Sequence, residues 1–205
     1  MLGDEYLVTS IFYNWLVEPF LREIKEYIVE ICREKEVHKV VDICCGTGTQ
    51  CHKLACENIS CYGIDLSPGM LKVATREKPE NAHFISMDAR NLAFRDGSFE
   101  LAIISFALHE KSYQIRKSIA REMIRVVKKG GSIVIADYMV TDGEKKINWK
   151  VNMVERMAGS EHFRNFMDFC TRGGLLGLRD IFGLPTKFIK KFHSKPWGVL
   201  FLEKA

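Results

Sequence analysis

The chain has 205 residues, 47% of them hydrophobic, and a formal net charge of +4. That composition suits one globular domain with a sizeable core and excludes a disordered chain, and a small positive charge interleaved with acids gives no argument for a nucleic-acid partner. The longest apolar runs are strand-sized, so no membrane span is expected, and seven cysteines with no recognisable export signal are expected as reduced thiols in the cytoplasm.

Apolar residues recur at threes and fours from Tyr6 to Ile31, which predicts helix over residues 5–34, divided near Pro19. Val40, Val41 and Ile43 then form a short apolar run that stops at Gly46-Thr47-Gly48, and Gln50 to Glu57 is helix-compatible. This is the pattern of a buried strand, a tight turn and a helix N-terminus. Glycines in such a turn let a ligand approach the backbone closely. The helix behind them points free N–H groups at that ligand. The stretch therefore reads as the floor of a nucleotide-type pocket. A dinucleotide fingerprint would put a third glycine at position 51, where Cys51 stands, and a P-loop would need Lys and Ser/Thr after its last glycine. What remains is Asp42, Cys44, Gly46 and Gly48. Cys51, Cys56 and Cys61 with His52 contain no C-x-x-C pair, so free thiols are expected there, and no metal site is expected in the chain.

Ser60 to Asp65 is a second strand ending in an acid, nineteen residues beyond Gly46. An acid at this distance accepts hydrogen bonds from ribose hydroxyls in nucleotide-binding sheets, its two oxygens matching two vicinal hydroxyls. Leu66 is placed to cover an adenine face. Ser67-Pro68 reads as N-cap and first helical residue of a helix through Met70 and Ala74. Ala82 to Met87 is a third strand, followed by Asp88-Ala89; Asp88 either meets the nucleotide or caps the turn Arg90 to Leu92. Ser98 to Ser105 is a fourth strand, nearly all apolar as a central parallel strand should be. Ile115 to Val127 is an amphipathic helix whose basic side is a solvated face, and Lys128-Lys129-Gly130-Gly131 is expected to close it.

Ser132 to Tyr138 is a fifth strand. Ile147 to Met157 and Glu161 to Leu178 are helical in pattern, the second broken at Gly173-Gly174. Thr186 to Phe192 and Trp197 to Glu203 alternate as a hairpin with His193 to Pro196 as its turn. Strands alternating with helices imply an α/β fold, a parallel sheet with helices on both faces. Ligands of such sheets sit over the carboxyl ends of the strands, where Asp42 to Gly48, Asp65, Asp88 and Ser105 all fall.

Taken together, Val40 to Gln50, Tyr62 to Met70, Asp88-Ala89, Phe99 to His109 and Lys129 to Asp137 resemble the class I S-adenosylmethionine-dependent methyltransferases. The likeness is to the ubiquinone/menaquinone-biosynthesis-like, or type 11, small-molecule family, over roughly residues 35–140. It implies a Rossmann-like, doubly wound, mostly parallel seven-stranded sheet with a C-terminal antiparallel hairpin and N-terminal cap helices. The whole would be one domain, with a cap (1–36), a cofactor-binding core (37–140) and substrate-side helices with the hairpin (141–205). The resemblance implies S-adenosyl-L-methionine as cofactor, contacted by Tyr13 from the cap and by Asp42, Cys44, Gly46, Gly48, Asp65, Leu66, Met70, Asp88, Ala89 and Ser105. Cys44 stands where the family usually has its first glycine, and its side chain is expected to point away from the cofactor.

The resemblance also implies a small-molecule acceptor. Methyl transfer from a sulfonium is an in-line displacement in which the protein mainly supplies positioning and exclusion of water. A hydroxyl or amine acceptor must also lose a proton; His109, aided by Glu110, is the candidate catalytic base, with shaping of the pocket as the alternative role. Glu161, His162, Phe163, Arg164, Phe166 and Phe169 either line an acceptor pocket suited to an aromatic or amphipathic molecule or pack a helix on the sheet. Two other functions fit less of the chain. A nicotinamide-dependent oxidoreductase lacks its third glycine here, and a non-catalytic S-adenosylmethionine-binding protein would keep the fold without the chemistry.

Overall fold

The computed structural model describes residues 21–76, 78–140, 155–156, 159–192 and 195–205. The expected cap helix before Pro19, with Tyr13, and most of the expected helix Ile147 to Met157 lie outside the described residues. In chain order the elements are α1 (residues 21–34), β1 (Lys39–Ile43), α2 (Thr49–Cys56), β2 (Ser60–Asp65), α3 (Pro68–Ala74), β3 (Ala82–Ser86), β4 (Phe99–Ser105), α4 (Tyr113–Val126), β5 (Val127–Tyr138), α5 (Ser160–Thr171), α6 (Gly174–Phe182), β6 (Thr186–Lys191) and β7 (Trp197–Glu203). The seven strands lie in the order β3-β2-β1-β4-β5-β7-β6. The first five strands in this order pair in parallel, and β7 runs antiparallel between β5 and β6. This is the expected mostly parallel sheet with a terminal antiparallel hairpin.

Strand periodicity sorts the core into two layers, because successive side chains leave a strand on opposite faces. Leu101 and Ile103 of β4 pack with Val40, Val134 and Phe201 against Ile24, Ile28 and Ile31 of α1 and Leu54 of α2. Ala102 and Ile104 face the other way, with Val41, Ile43, Ile135 and Leu200, onto Ile119 and Met123 of α4, Phe166 and Phe169 of α5, and Leu175 and Leu178 of α6. Each fully buried aliphatic side chain of these layers contributes about 1.5–3 kcal/mol. Both faces of the central strands are covered, which is why β1 and β4 read as continuous apolar runs. No helix among the described residues is long and apolar enough to cross a membrane.

One boundary differs from expectation. Lys128 to Gly131 do not close α4; the chain passes directly from Val126 into β5, which begins at Val127. The Gly130 N–H donates to the Lys204 carbonyl (2.7 Å) and the Lys204 N–H to Gly131 (2.9 Å), so a distant strand end claims this segment. The cation that meets the carbonyls at the end of α4 is Lys204, whose Nζ donates to Ile124 (2.8 Å) and Val127 (2.7 Å). The helix still receives a positive charge at its C-terminus, as its dipole favours, but from a residue 80 positions from Ile124.

Candidate active site

The glycine turn after β1 is built on left-handed backbone. Cys44, Gly46 and Gly48 have φ of 58°, 55° and 74°. The two glycines need their missing side chains for different reasons. A Cβ on Gly48 would lie 2.5 Å from the Phe84 ring of β3 and 2.9 Å from Ala74. A Cβ on Gly46 would meet nothing within 4 Å. Gly46 thus opens on free space over the strand ends, and Gly48 lets the turn settle onto Phe84. Cys44 carries the same positive φ without glycine's freedom, at a cost of roughly 1–2 kcal/mol. Its half-buried side chain packs against the buried layer that holds Ala107 and Leu108, and burial pushes its thiol up to about 12.

Asp65 ends β2 beside this turn. Its Oδ2 accepts the Gly46 N–H (2.9 Å) and its Oδ1 the Ser67 N–H (2.9 Å). The carboxylate is therefore oriented by backbone from both sides. Leu66, next to it, is 62% exposed, an unusual degree for a leucine among the described residues. Ser67 caps α3 as expected, its hydroxyl accepting the Met70 N–H (3.3 Å). Free space at Gly46, a fixed carboxylate and an exposed apolar side chain thus lie side by side over the strand ends.

Asp42 takes a different place. It shares the face of β1 that packs on α1 and α2, is 3% exposed, and receives a 3.7 Å contact from the Cys51 thiol. Burial pushes its carboxyl up to about 7, against the pull of the nearby Lys25 cation. Asp88 accepts the Arg90 N–H (2.8 Å) and pairs with the Arg90 guanidinium through both oxygens (2.7–3.1 Å). Its side chain thus makes the turn cap that the sequence offered as one of its two roles. Ala89 is buried and Ser105 half-buried at the end of β4.

Beyond β4, Phe106 has φ 51°, an outlier for a bulky residue. Its N–H donates to Ala136 (2.8 Å), and its ring meets Tyr138 and Trp197 edge-on at 5.6 and 5.9 Å. Such strain persists only where surrounding structure holds it, and it gathers at functional sites.

Three residues on, His109 lies buried in a polar cluster. Its Nδ1 is 2.8 Å from Asp137 Oδ1, and its backbone N–H donates to Asp137 Oδ2 (3.2 Å). Its Nε2 faces Glu155 Oε2 at 3.7 Å. Glu155 accepts from the Tyr138 hydroxyl (2.9 Å) and meets His162 Nε2, and His162 Nδ1 lies 3.5 Å from Glu110. Burial opposes a charged His109, but Asp137, with Glu155 and Glu110, outweighs it and holds the imidazole pKa above its ordinary value. The cluster brings together His109, Glu110 and His162, all candidates from the sequence, where His109 and Glu110 were already paired. It adds Asp137, Tyr138 and Glu155, which sequence reasoning missed; an acid ending the apolar fifth strand was the one available signal. The remaining α5 candidates divide: Phe166 and Phe169 are core, Phe163 is half-buried, and Glu161 and Arg164 are exposed.

Arg116 corrects the picture of α4. Far from lying on a solvated face, it is 1% exposed. It donates to Leu108 (2.9 Å), Asp168 (2.8 Å) and Asn165 (2.7 Å), tying the loop after β4 to α5.

Known proteins are similar to this chain over parts of its length. Residues 40–131 match a family model described as a methyltransferase domain. A demethylmenaquinone methyltransferase of Paenarthrobacter aurescens is 39% identical over 117 residues, 57% of this chain and 45% of that protein. One from Thermotoga maritima is 31% identical over 117 residues, 56% of this chain and 50% of that protein. The chain therefore spans about half the length of these curated relatives. Among solved structures, an O-methyltransferase family protein from Burkholderia thailandensis superposes with a TM-score of 0.73 at 16% identity, over 96% of this chain and 59% of that one. The PH0226 protein of Pyrococcus horikoshii superposes with 0.67 at 18% identity, over 94% and 92%. At such identities the structures speak for the fold, while the family match runs from β1 into the start of β5. Residues 40–131 are thus similar to the methyltransferase-domain family, and the chain shares the fold of the solved methyltransferase structures.

Proposed function

We propose that the chain transfers a methyl group from S-adenosylmethionine to a small-molecule acceptor. The observation that carries this reading is the free space at Gly46 beside the backbone-oriented Asp65 carboxylate. Asp65 would hold the ribose diol, Leu66 would cover the adenine, and the open side of Gly46 would leave room for the amino-acid end. When bound, the cofactor supplies the activated methyl group. The chain's own part is to position the acceptor and exclude water. Residues 37–140 would form the cofactor half and residues 141–205, with the cap, the acceptor half.

An aromatic acceptor suits the rings of Phe106, Tyr138 and Trp197 and the half-buried Phe163, and the relatives' names point to demethylmenaquinone as a first compound to try. Where the acceptor has a hydroxyl or amine, His109 is the proposed proton acceptor. The Asp137 bond at Nδ1 leaves Nε2 as the nitrogen that can take a proton.

Calorimetric titration with S-adenosylhomocysteine and with NADH tests the cofactor. Micromolar binding of the first alone is expected, and binding of NADH alone would return the chain to the oxidoreductases. Turnover with a demethylmenaquinone analogue, lost in His109→Gln with S-adenosylhomocysteine binding retained, is expected for the acceptor side. Binding without turnover on a broad acceptor panel would favour a non-catalytic protein.

A further inference from the structure

The cluster beyond β4 and β5 has more order than a proton acceptor requires. His109, Glu155 and His162 each present one ligand atom, and these atoms lie within 4.8 Å of one another. Around a tetrahedral ion with bonds near 2.0–2.2 Å, donors stand about 3.3 Å apart. His109 Nε2 and Glu155 Oε2 are 3.7 Å apart, and His162 Nε2 already touches the same oxygen. Small side-chain rotations therefore bring all three to ligating distance.

The outer contacts are the stronger sign. Metal-binding imidazoles and carboxylates are held at their far atoms by a second set of groups, which fix orientation and tautomer. Each of the three has such a partner. His109 Nδ1 has Asp137 Oδ1 at 2.8 Å, Glu155 Oε1 has the Tyr138 hydroxyl at 2.9 Å, and His162 Nδ1 has Glu110 Oε2 at 3.5 Å. Lys111 pairs with Glu110, but the buried Asp137 and Glu155 carboxylates converge on His109, with the Glu155 and His109 side chains only 2% and 3% exposed. A cation between Glu155 and the imidazoles answers that negative charge.

We propose that His109 Nε2, Glu155 and His162 Nε2 bind a first-row divalent transition metal such as zinc or cobalt. Two nitrogens and one oxygen suit these ions better than magnesium or calcium, which prefer all-oxygen shells. Three protein ligands leave a position for an oxygen of water or of the acceptor. The His162 side chain is 21% exposed, so the site communicates with the outside past α5. This goes beyond the methyl-transfer reading. With the ion bound His109 would serve as a ligand, and a coordinated acceptor hydroxyl, acidified by the metal, would release its proton to the water reached past His162.

The test is titration of the chelator-treated full chain with Co2+, followed by its visible absorption and by displacement with Zn2+. One equivalent is expected, with d–d bands and no thiolate charge-transfer band. His162→Gln and Glu155→Gln should each weaken binding on the order of 100-fold, and Tyr138→Phe on the order of 10-fold, while circular dichroism and S-adenosylhomocysteine affinity stay unchanged. No stoichiometric binding, binding indifferent to both ligand substitutions, or a charge-transfer band abolished by Cys51→Ser would overturn the proposal; the last would move the metal to the buried Cys51 and Cys61 thiols, whose sulfurs lie 2.6 Å apart. Loss of S-adenosylhomocysteine binding in the wild-type chain, with cobalt still bound, would count against the methyl-transfer reading alone.

Discussion

The Gly46 amide donates to Asp65 Oδ2 across 2.9 Å, so the turn after β1 and the acid that ends β2 form one unit. The Ser67 amide holds the other oxygen at the same distance. A carboxylate with both oxygens already oriented loses little freedom when a diol docks on its remaining lone pairs. Asp65→Asn replaces one acceptor by an NH2 group that must face a backbone N–H. Hydrogen bonds to a charged group are worth about 1.5–3 kcal/mol each. S-adenosylhomocysteine affinity should fall by roughly 10- to 100-fold in calorimetry, and an unchanged affinity would remove Asp65 from the ribose role.

The two glycines of the turn should separate stability from binding. Gly48→Ala pushes a methyl group to 2.5 Å from the Phe84 ring at a positive φ. Overpacking of this kind costs about 1–3 kcal/mol, to which the left-handed backbone adds roughly 1–2 kcal/mol. Gly46→Ala meets no protein atom within 4 Å and pays only for its backbone. Denaturant unfolding should show the Gly48 variant as the less stable of the two. Calorimetry should show the Gly46 variant, though folded, as impaired in cofactor binding.

Asp42 predicts a pH dependence. Its carboxyl titrates near 7 in the folded chain against an ordinary 3.8, because it is buried. Between those values the folded chain binds a proton that the unfolded chain has released, so stability falls as pH rises from about 4 to about 7 and levels off above. At about 1.4 kcal/mol per pH unit the full effect has a ceiling near 4 kcal/mol. Asp42→Asn should flatten this slope in denaturant midpoints measured at pH 4.5, 6 and 8, and an unaltered slope would mean another group carries it.

The sheet was legible because its strands are short apolar runs ending in acids or glycines, a local pattern that needs no knowledge of partners. The turn that joins Gly46, Gly48 and Asp65 was legible for the same reason: these residues lie at fixed spacings around one crossover. The cluster about His109 was not, since Asp137, Glu155 and His162 come from separate stretches and only the fold sets them side by side. The start of β5 was hidden because Lys128, Lys129 and Gly130 carry the chemistry of a helix end. What decides their state is pairing with Lys204, at the far end of the chain. Arg116 was legible in spacing but not in kind. It falls three residues before Ile119 and seven before Met123, on the buried stripe of α4, yet arginine is so seldom buried that the expectation went to the solvated face.

Arg116 therefore yields the sharpest structural prediction. Its guanidinium joins three segments at once: the Leu108 carbonyl, the Asn165 carbonyl and the Asp168 carboxylate. Its plane also lies over the Phe169 ring, 5.2 Å from the centroid. Asp168 is partly exposed and keeps a second cation in Arg172, at 2.8 Å. Removing Arg116 therefore strands two carbonyls more than it strands a charge, and the cost should sit near 2–4 kcal/mol, below the upper range for a broken buried ion pair. Arg116→Lys keeps the charge but cannot donate to three acceptors in a plane, so it should recover less than half of the loss seen in Arg116→Ala. Because Leu108 adjoins His109 and Asn165 lies on the helix of His162, both variants should also loosen the polar cluster. Hydrogen exchange of the amides from Leu108 to Lys111 should then speed up more than that of β1. Equal acceleration in the two places would mean that Arg116 supports the whole fold and has no special hold on the site.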